Sequence, residues 1–378
     1  MAVRLLARVA AADDVPVFAA VGQGVRGAVD DLFLLPGVRR VATPRAATVL
    51  LVAGELRPRD EHALRRVHDQ LPHPRATVWW RGTPPGSLAS MNAQRIEASD
   101  AQELVRVLRA HHARLLRDPG DTEPDWLPDE PPAAWRGKGE NGQGGEGMMG
   151  GVPYGRPMAM TAEDLRDGLQ LDAFSLRLGP FAPMLPPGME LELTLQGDVI
   201  QHAKLRQPAF QAPADDVGTA LRCAARMLDL LELPSLARRC RRMARDGIAA
   251  PRIARRVRWS GALAAVPAGL GYVEALGSDA QDRLRAWTAG VAATPAAIEL
   301  HMHELLPGLE WQEAMLVIAS LDGGRFAMPQ PGGADDPGAH SMQDDMRGMH
   351  SMHEVDRGQV AHGQHEGSRP AGGTGGAA

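Results

Sequence analysis

Residues 176–201 read Leu-Arg-Leu-Gly-Pro-Phe-Ala-Pro-Met-Leu-Pro-Pro-Gly-Met-Glu-Leu-Glu-Leu-Thr-Leu-Gln-Gly-Asp-Val-Ile-Gln. The second half of this stretch alternates. Met189, Leu191, Leu193 and Leu195 fall on one face, and Glu190, Glu192, Thr194 and Gln196 on the other, the period-2 pattern of a strand with one buried side. Gln196-Gly197-Asp198 supplies a turn, after which Val199, Ile200 and His202 resume the extended pattern, so a hairpin is expected. Ahead of it, Gly179-Pro180, Pro183, Pro186 and Pro187 make a stiff loop poor in backbone donors. From the residues alone this is a sheet edge carrying a rigid loop.

Around that hairpin the chain divides by composition. In residues 1–115, Val15–Val21, Ala47–Ala53 and Ala76–Trp80 are short apolar runs, the mark of strands buried on both faces. Helical spacing falls between them at Ala28–Leu35, Asp60–Gln70 and Ala101–Leu116, with Ala63, Leu64 and Val67 inward on the second. Strands alternating with helices predict a small parallel α/β domain, flavodoxin-like in class. Its ligand loops would follow the strands, at Gly22–Gly24, Gly54–Arg57 and Gly82–Ser87. None of these contains G-x-G-x-x-G with a following acidic residue.

Residues 116–155 lose apolar periodicity and are rich in proline and glycine, which reads as a linker. Residues 156–328 form a second, mainly helical α+β domain that opens with the hairpin. Val217–Leu231, the helix from Pro234 to Gly247, Asp279–Val291 and Leu309–Leu321 are its expected helices, with Gly261–Gly271 a packing turn. Cys223 and Cys240 lie among apolar neighbours and read as core residues. Residues 329–378 carry no core-forming pattern, and a disordered His/Met-rich tail is expected there.

The whole chain has 378 residues, 44% of them hydrophobic, and a formal charge of −5, which argues against a nucleic-acid protein. Two cysteines exclude a disulfide scaffold and a four-thiolate cluster. The longest apolar runs fall far below the roughly 20 residues that span a bilayer, so a chain without its own transmembrane segment is expected. Nine arginines between Arg238 and Arg258 make a basic stretch, read either as a solvated face or as a partner surface.

Gly179-Pro180-x-x-Pro183, a strand, Gly197-Asp198 and a further strand together resemble the start of the large subunit shared by respiratory complex I and [NiFe] hydrogenases. In the complex I form the loop reads Gly-Pro-Gln-His-Pro-x-x-His-Gly and its histidines face quinone. The matching positions here are Phe181, Ala182 and Pro186. The segment 308–322, ending Ser320-Leu321-Asp322, resembles that subunit's closing helix. Pro44-Arg45 with the run to Gly54, and the segment through Asp69-Gln70-Leu71-Pro72-His73-Pro74-Arg75, resemble the cluster-bearing small subunit.

The resemblance implies two fused subunits, small then large, covering roughly residues 15–115 and 156–326. It also implies that the chemistry has been removed. The loops matching the cluster ligands, Gly22–Arg26, Arg81–Pro85 and Ile96–Asp100, hold no cysteine, and neither Cys-x-x-Cys pair of a nickel site occurs. The expected protein is therefore a cofactor-depleted scaffold or coupling subunit of a complex I-like, membrane-associated assembly. It would be cytoplasmic, peripheral at the inner face of the cell membrane, with antiporter-like or other complex subunits as partners and no nucleic acid. Gly179, Pro180, Phe181, Ala182, Pro183 and Pro186 are its degenerate quinone-loop positions. The two domains are expected to dock with Arg81–Ser87 near Phe181–Pro186.

Two alternatives stay open. One is an active NADH-quinone oxidoreductase-type subunit that contributes to quinone binding. The other is a metal-binding or delivery protein acting through the tail, where His340, Met349, His350, Met352 and His353 offer imidazoles and thioethers to Cu, Ni or Zn. No cofactor is expected in the folded domains. His62, His68 and His73 read as surface or turn residues, His301 and His303 as alternating on an extended segment, and Asp69 with Arg75 as an ion pair holding the Pro72–Pro74 turn.

Overall fold

The computed structural model describes residues 13–88, 94–96, 100–128, 160–210, 217–247, 251–291, 299–321 and 325–326, all within one compact unit. The fold is mixed α/β. Its first half runs β1 (Val15–Val21), α1 (Arg26–Leu32), β2 (Val38–Arg40), β3 (Val49–Ala53), α2 (Glu61–Asp69), β4 (Ala76–Trp80), β5 (Gln94–Ile96) and α3 (Ala101–Arg117). The strands form one five-stranded sheet in the order β2-β1-β3-β4-β5, every neighbour parallel. β3 and β4 are buried at all five positions, because helices and loops cover both faces. One face carries α1 and α3 through Val29, Leu32, Leu104 and Leu108, and the other holds Leu64, Leu71, Trp79 and Trp126.

The second half begins with a four-stranded antiparallel sheet in sequence order, β6 (Met160–Glu163), β7 (Gln170–Leu178), β8 (Glu190–Gln196) and β9 (Val199–Gln207). The expected hairpin is β8–β9, and β7 and β6 extend it. Leu191 and Leu193 are buried as the alternation requires, but a register irregularity between Thr194 and Leu195 breaks the period. Leu195 nonetheless packs against the helical core. Gln196 is buried and Leu195 only partly so, and the Gln196 amide donates to the carbonyls of Ala162 and Leu171.

Helices α4 (Val217–Leu230), α5 (Pro234–Asp246), α6 (Pro251–Trp259) and α7 (Ala280–Thr288) follow. After them come β10 (Glu299–Leu300), α8 (Met302–Leu305), α9 (Trp311–Ser320) and β11 (Arg325–Phe326), with β10 and β11 paired in parallel. α4 packs on α5, α7 and α9. Cys223 and Cys240 lie fully buried in this core, as their neighbours predict.

Three expectations shift. The first helix spans Arg26–Leu32 rather than Ala28–Leu35, since the chain turns back through Leu34 N–Asp31 O and Leu35 N–Leu32 O bonds before Pro36-Gly37. His301 ends the extended segment and precedes α8, so His303 sits on a helix. The segment expected as linker begins with ordered residues belonging to the α/β half, for Trp126 is buried in its core. Among the described residues, no helix is long and apolar enough to cross a membrane.

Candidate functional site

The two halves meet along the loop of residues 179–188. Gly179 opens it at φ +111, and a Cβ there would lie 2.0 Å from the Met189 carbonyl oxygen, so only glycine fits. Phe181 leaves the loop in one direction and enters the core of the α/β half beside Trp79, Leu88 and Trp126. Leu185 leaves it in the other and enters the core of the helical half. Phe181 and Leu88 thus share one core, on the side of the expected docking.

The polar contacts across the joint run elsewhere, from α1 and from the turn Pro58–Asp60. Arg57 donates to the carbonyls of Gly188 (3.2 Å) and Pro208 (2.9 Å), and its guanidinium stacks 4.2 Å from the Phe210 ring. The Gln207 amide donates to Asp60 at 2.7 Å, with both side chains buried. On the far side, Arg222 donates to Asp31 at 3.0 Å and to the Gly27 carbonyl, and Arg238 to the Leu34 carbonyl.

Beside this second set of contacts lies a cavity of about 590 Å³. One wall is the loop itself, Pro180 to Leu185 with Pro187; Ala19, Val21 and Val38 of the parallel sheet add apolar surface. The opposite wall is cationic: Arg26, Arg39, Arg40, Arg222, Arg226, Arg238 and Arg241 line it, against Asp14, Asp30 and Asp229. Asp30 is buried and stands 3.5 to 3.7 Å from Arg40, Arg222 and Arg241 together. Burial works against the charge of Arg241, but Asp30 and Asp229 outweigh it and hold its pKa above the usual arginine value. Among its described lining residues the cavity has no Ser, Thr, Cys, His or Lys, and its carboxylates are engaged by arginines or, for Asp14, by the Gly37 N–H. That inventory suits binding rather than acid–base or nucleophilic chemistry.

The glycine loops behind the parallel strands are filled by backbone. Gly22 N donates to Ala53 O, Gln23 N to Glu55 O and Gly54 N to Trp80 O. A Cβ on Gly82 would lie 2.1 Å from the Gly54 carbonyl oxygen, and one on Gly22 would lie 2.5 Å from that of Glu55. These glycines permit close backbone approach in the loops where a ligand is expected.

A second cluster surrounds His68. Spacing assigned it to the surface, yet it is fully buried. Its Nδ1 lies 2.7 Å from Asp69, its Nε2 3.1 Å from Glu123, and its ring stacks on Trp126 at 3.8 Å. Burial opposes ionisation of Asp69, but the N–H groups of Trp126 and Leu127 with His68 prevail and hold its pKa below the usual range. Glu123 is depressed in the same way, burial being outweighed by His68 and Thr77. Arg75 pairs with Asp125 and, at 3.5 Å, with Asp69, and it also donates to the His68 and Leu71 carbonyls. The expected Asp69–Arg75 pair is therefore one edge of a network that clamps residues 122–127 onto the α/β half. Arg45 is exposed in the short turn Pro44–Ala46.

Of the sequence candidates, Pro180, Phe181, Ala182 and Pro183 line the cavity, while Gly179 and Pro186 shape the loop. Phe181, Ala182 and Pro186 have no side-chain hydrogen-bond donor. His340, Met349, His350, Met352 and His353 lie outside the described residues. Among the described residues, no three His, Cys, Asp or Glu side chains are placed to hold a metal ion. No protein-family model matches the sequence, and no curated protein matches it.

Proposed function

We propose that the chain is a cofactor-depleted subunit of a complex I-like, membrane-associated assembly, in which it acts as a scaffold or coupling element at the inner membrane face. The observation that carries this reading is the docking of the 179–188 loop, which carries the resemblance, against the α/β half with Phe181 in that half's core. A fused small and large subunit would meet through that loop. The strand order 2-1-3-4-5 also suits the flavodoxin-like class expected of the small-subunit part.

Two surfaces supply places for partners. Leu165, Leu169, Leu171 and Phe174 are 45% to 61% exposed on and around the β6–β7 hairpin, an apolar cluster of the kind that marks protein contacts. On α6, Arg252, Arg255, Arg256 and Arg258 are exposed beside Trp259, itself 83% exposed, which suits an acidic subunit or anionic headgroups. Affinity isolation from membranes of the source cells tests the reading. Wild type should retain multi-span membrane subunits, and a Leu169→Ser/Phe174→Ser variant should lose them while keeping its circular dichroism spectrum. Wild type recovered without any membrane subunit would oppose it.

A further inference from the structure

We infer that the interdomain cavity is a binding site for an amphipathic organic anion, whose carboxylate or phosphate group faces the arginine wall and whose apolar body lies against Phe181, Leu185 and Val21. This goes beyond the scaffold reading and does not rest on it. The volume of about 590 Å³ falls inside the range of small-molecule sites, roughly 300 to 1,000 Å³. Its two walls differ in chemistry, apolar on the loop and the sheet, guanidinium on α4, α5 and the region around β2.

Charge decides the sign of the ligand. Seven arginines line the cavity against three aspartates, and one of those, Asp30, already serves Arg40, Arg222 and Arg241. Arg222 also engages Asp31, and Arg241 engages Asp229. Guanidinium groups lining a partly enclosed cavity favour an oxyanion, which they hold through charge-assisted, often bidentate, hydrogen bonds. Each guanidinium has five N–H donors. Arg40 approaches Asp30 only at 3.5 Å, and Arg238 donates to the Leu34 carbonyl through one nitrogen, so donors remain at both. Arg226, 9% exposed, lines the same wall from α4. A cation of the same size would meet seven guanidinium groups, and a wholly apolar molecule would accept no hydrogen bond from them.

The test is calorimetric titration of the full chain with four twelve-carbon probes: dodecanoate, dodecyl phosphate, dodecanol and dodecyltrimethylammonium. The anions should bind one per chain and at least tenfold tighter than the alcohol or the cation, and the tighter of the two names the headgroup class. Arg226→Gln and Arg40→Gln should each weaken anion binding tenfold or more, and Ala182→Trp, which fills the cavity from the loop, should abolish it. Arg285→Gln, on the exposed side of α7 and outside the cavity lining, should leave it unchanged. Equal binding of anion, alcohol and cation to wild type would overturn the proposal without recourse to any variant. So would anion binding that survives Ala182→Trp, or that Arg285→Gln weakens as much as Arg226→Gln.

Discussion

Phe181 and Leu185 stand four residues apart on one loop and are buried in different cores, Phe181 at 5% exposure in that of the α/β half and Leu185 at 2% in that of the helical half. The loop is thus a bolt through the joint rather than a surface connection. Phe181→Ala should cost about 3 to 5 kcal/mol, the usual loss for deleting a buried phenyl ring. Urea titration followed by tryptophan fluorescence measures it, because Trp79 and Trp126 report from the core that Phe181 enters.

The buried hydrogen bond from Gln207 to Asp60 makes a second prediction at the same joint. Gln207→Ala strips Asp60 Oδ1 of its donor and should cost about 1 to 3 kcal/mol, the penalty for a buried unsatisfied polar group. Gln207→Glu should cost more, since it sets a second carboxylate against the first. An equal or smaller loss for the glutamate variant in chemical denaturation would contradict this geometry.

Backbone contact between Gly82 and Gly54 leaves no room for a methyl group. Gly82→Ala should prevent soluble folding or lower the thermal midpoint steeply, because the opposing atom is a main-chain carbonyl 2.1 Å from the new carbon. Gly86→Ala meets nothing within 4 Å and should fall within about 0.5 kcal/mol of wild type.

Acid should loosen the clamp around His68. Asp69 and Glu123 both have pKa values lowered by folding, so their contribution to stability is complete above the unfolded values of about 4 and is lost as pH falls through the folded ones. Stability followed from pH 6 to pH 2 should therefore drop below about pH 4. The double variant Asp69→Asn/Glu123→Gln should be less stable at pH 6 and show a flatter acid limb.

The thiols should be inert in the folded chain. Cys223 and Cys240 are fully buried, and burial pushes the Cys240 pKa up to about 12. Neither should react with an aromatic disulfide reagent at pH 8 until denaturant is added, when two thiols per chain should appear.

Strands buried on both faces were legible as uninterrupted apolar runs, and β1 and β4 occupy the expected residues. β2 and β5 were not legible, because three-residue edge strands such as Val38-Arg39-Arg40 carry too few side chains to show a period. His68 carries a local trace in the sequence. It follows Leu64 by four residues, which places it on the same inward helix face. Its partners Glu123 and Trp126 lie more than fifty residues away, where no spacing rule reaches.

The same distance hid half of the cavity. Its loop wall could be named from the Gly179-Pro180 motif, but of its seven arginines only Arg238 and Arg241 belong to the basic stretch, which reads as a solvated face or a partner surface. Only the fold brings α4 and α5 against Asp30, some 190 to 210 residues earlier, and sets Arg222 and Arg241 beside it. Arg239, Arg242 and Arg245 on the same helix remain exposed.

The central claim, membership of a membrane-associated assembly, is tested most directly by the apparent mass of the chain after mild extraction from its source membranes. Native electrophoresis of a tagged, natively expressed copy should place it in a complex several times the mass of the chain alone, together with membrane-spanning subunits. Migration as a single chain in the soluble fraction, with no membrane-bound pool, would contradict the account.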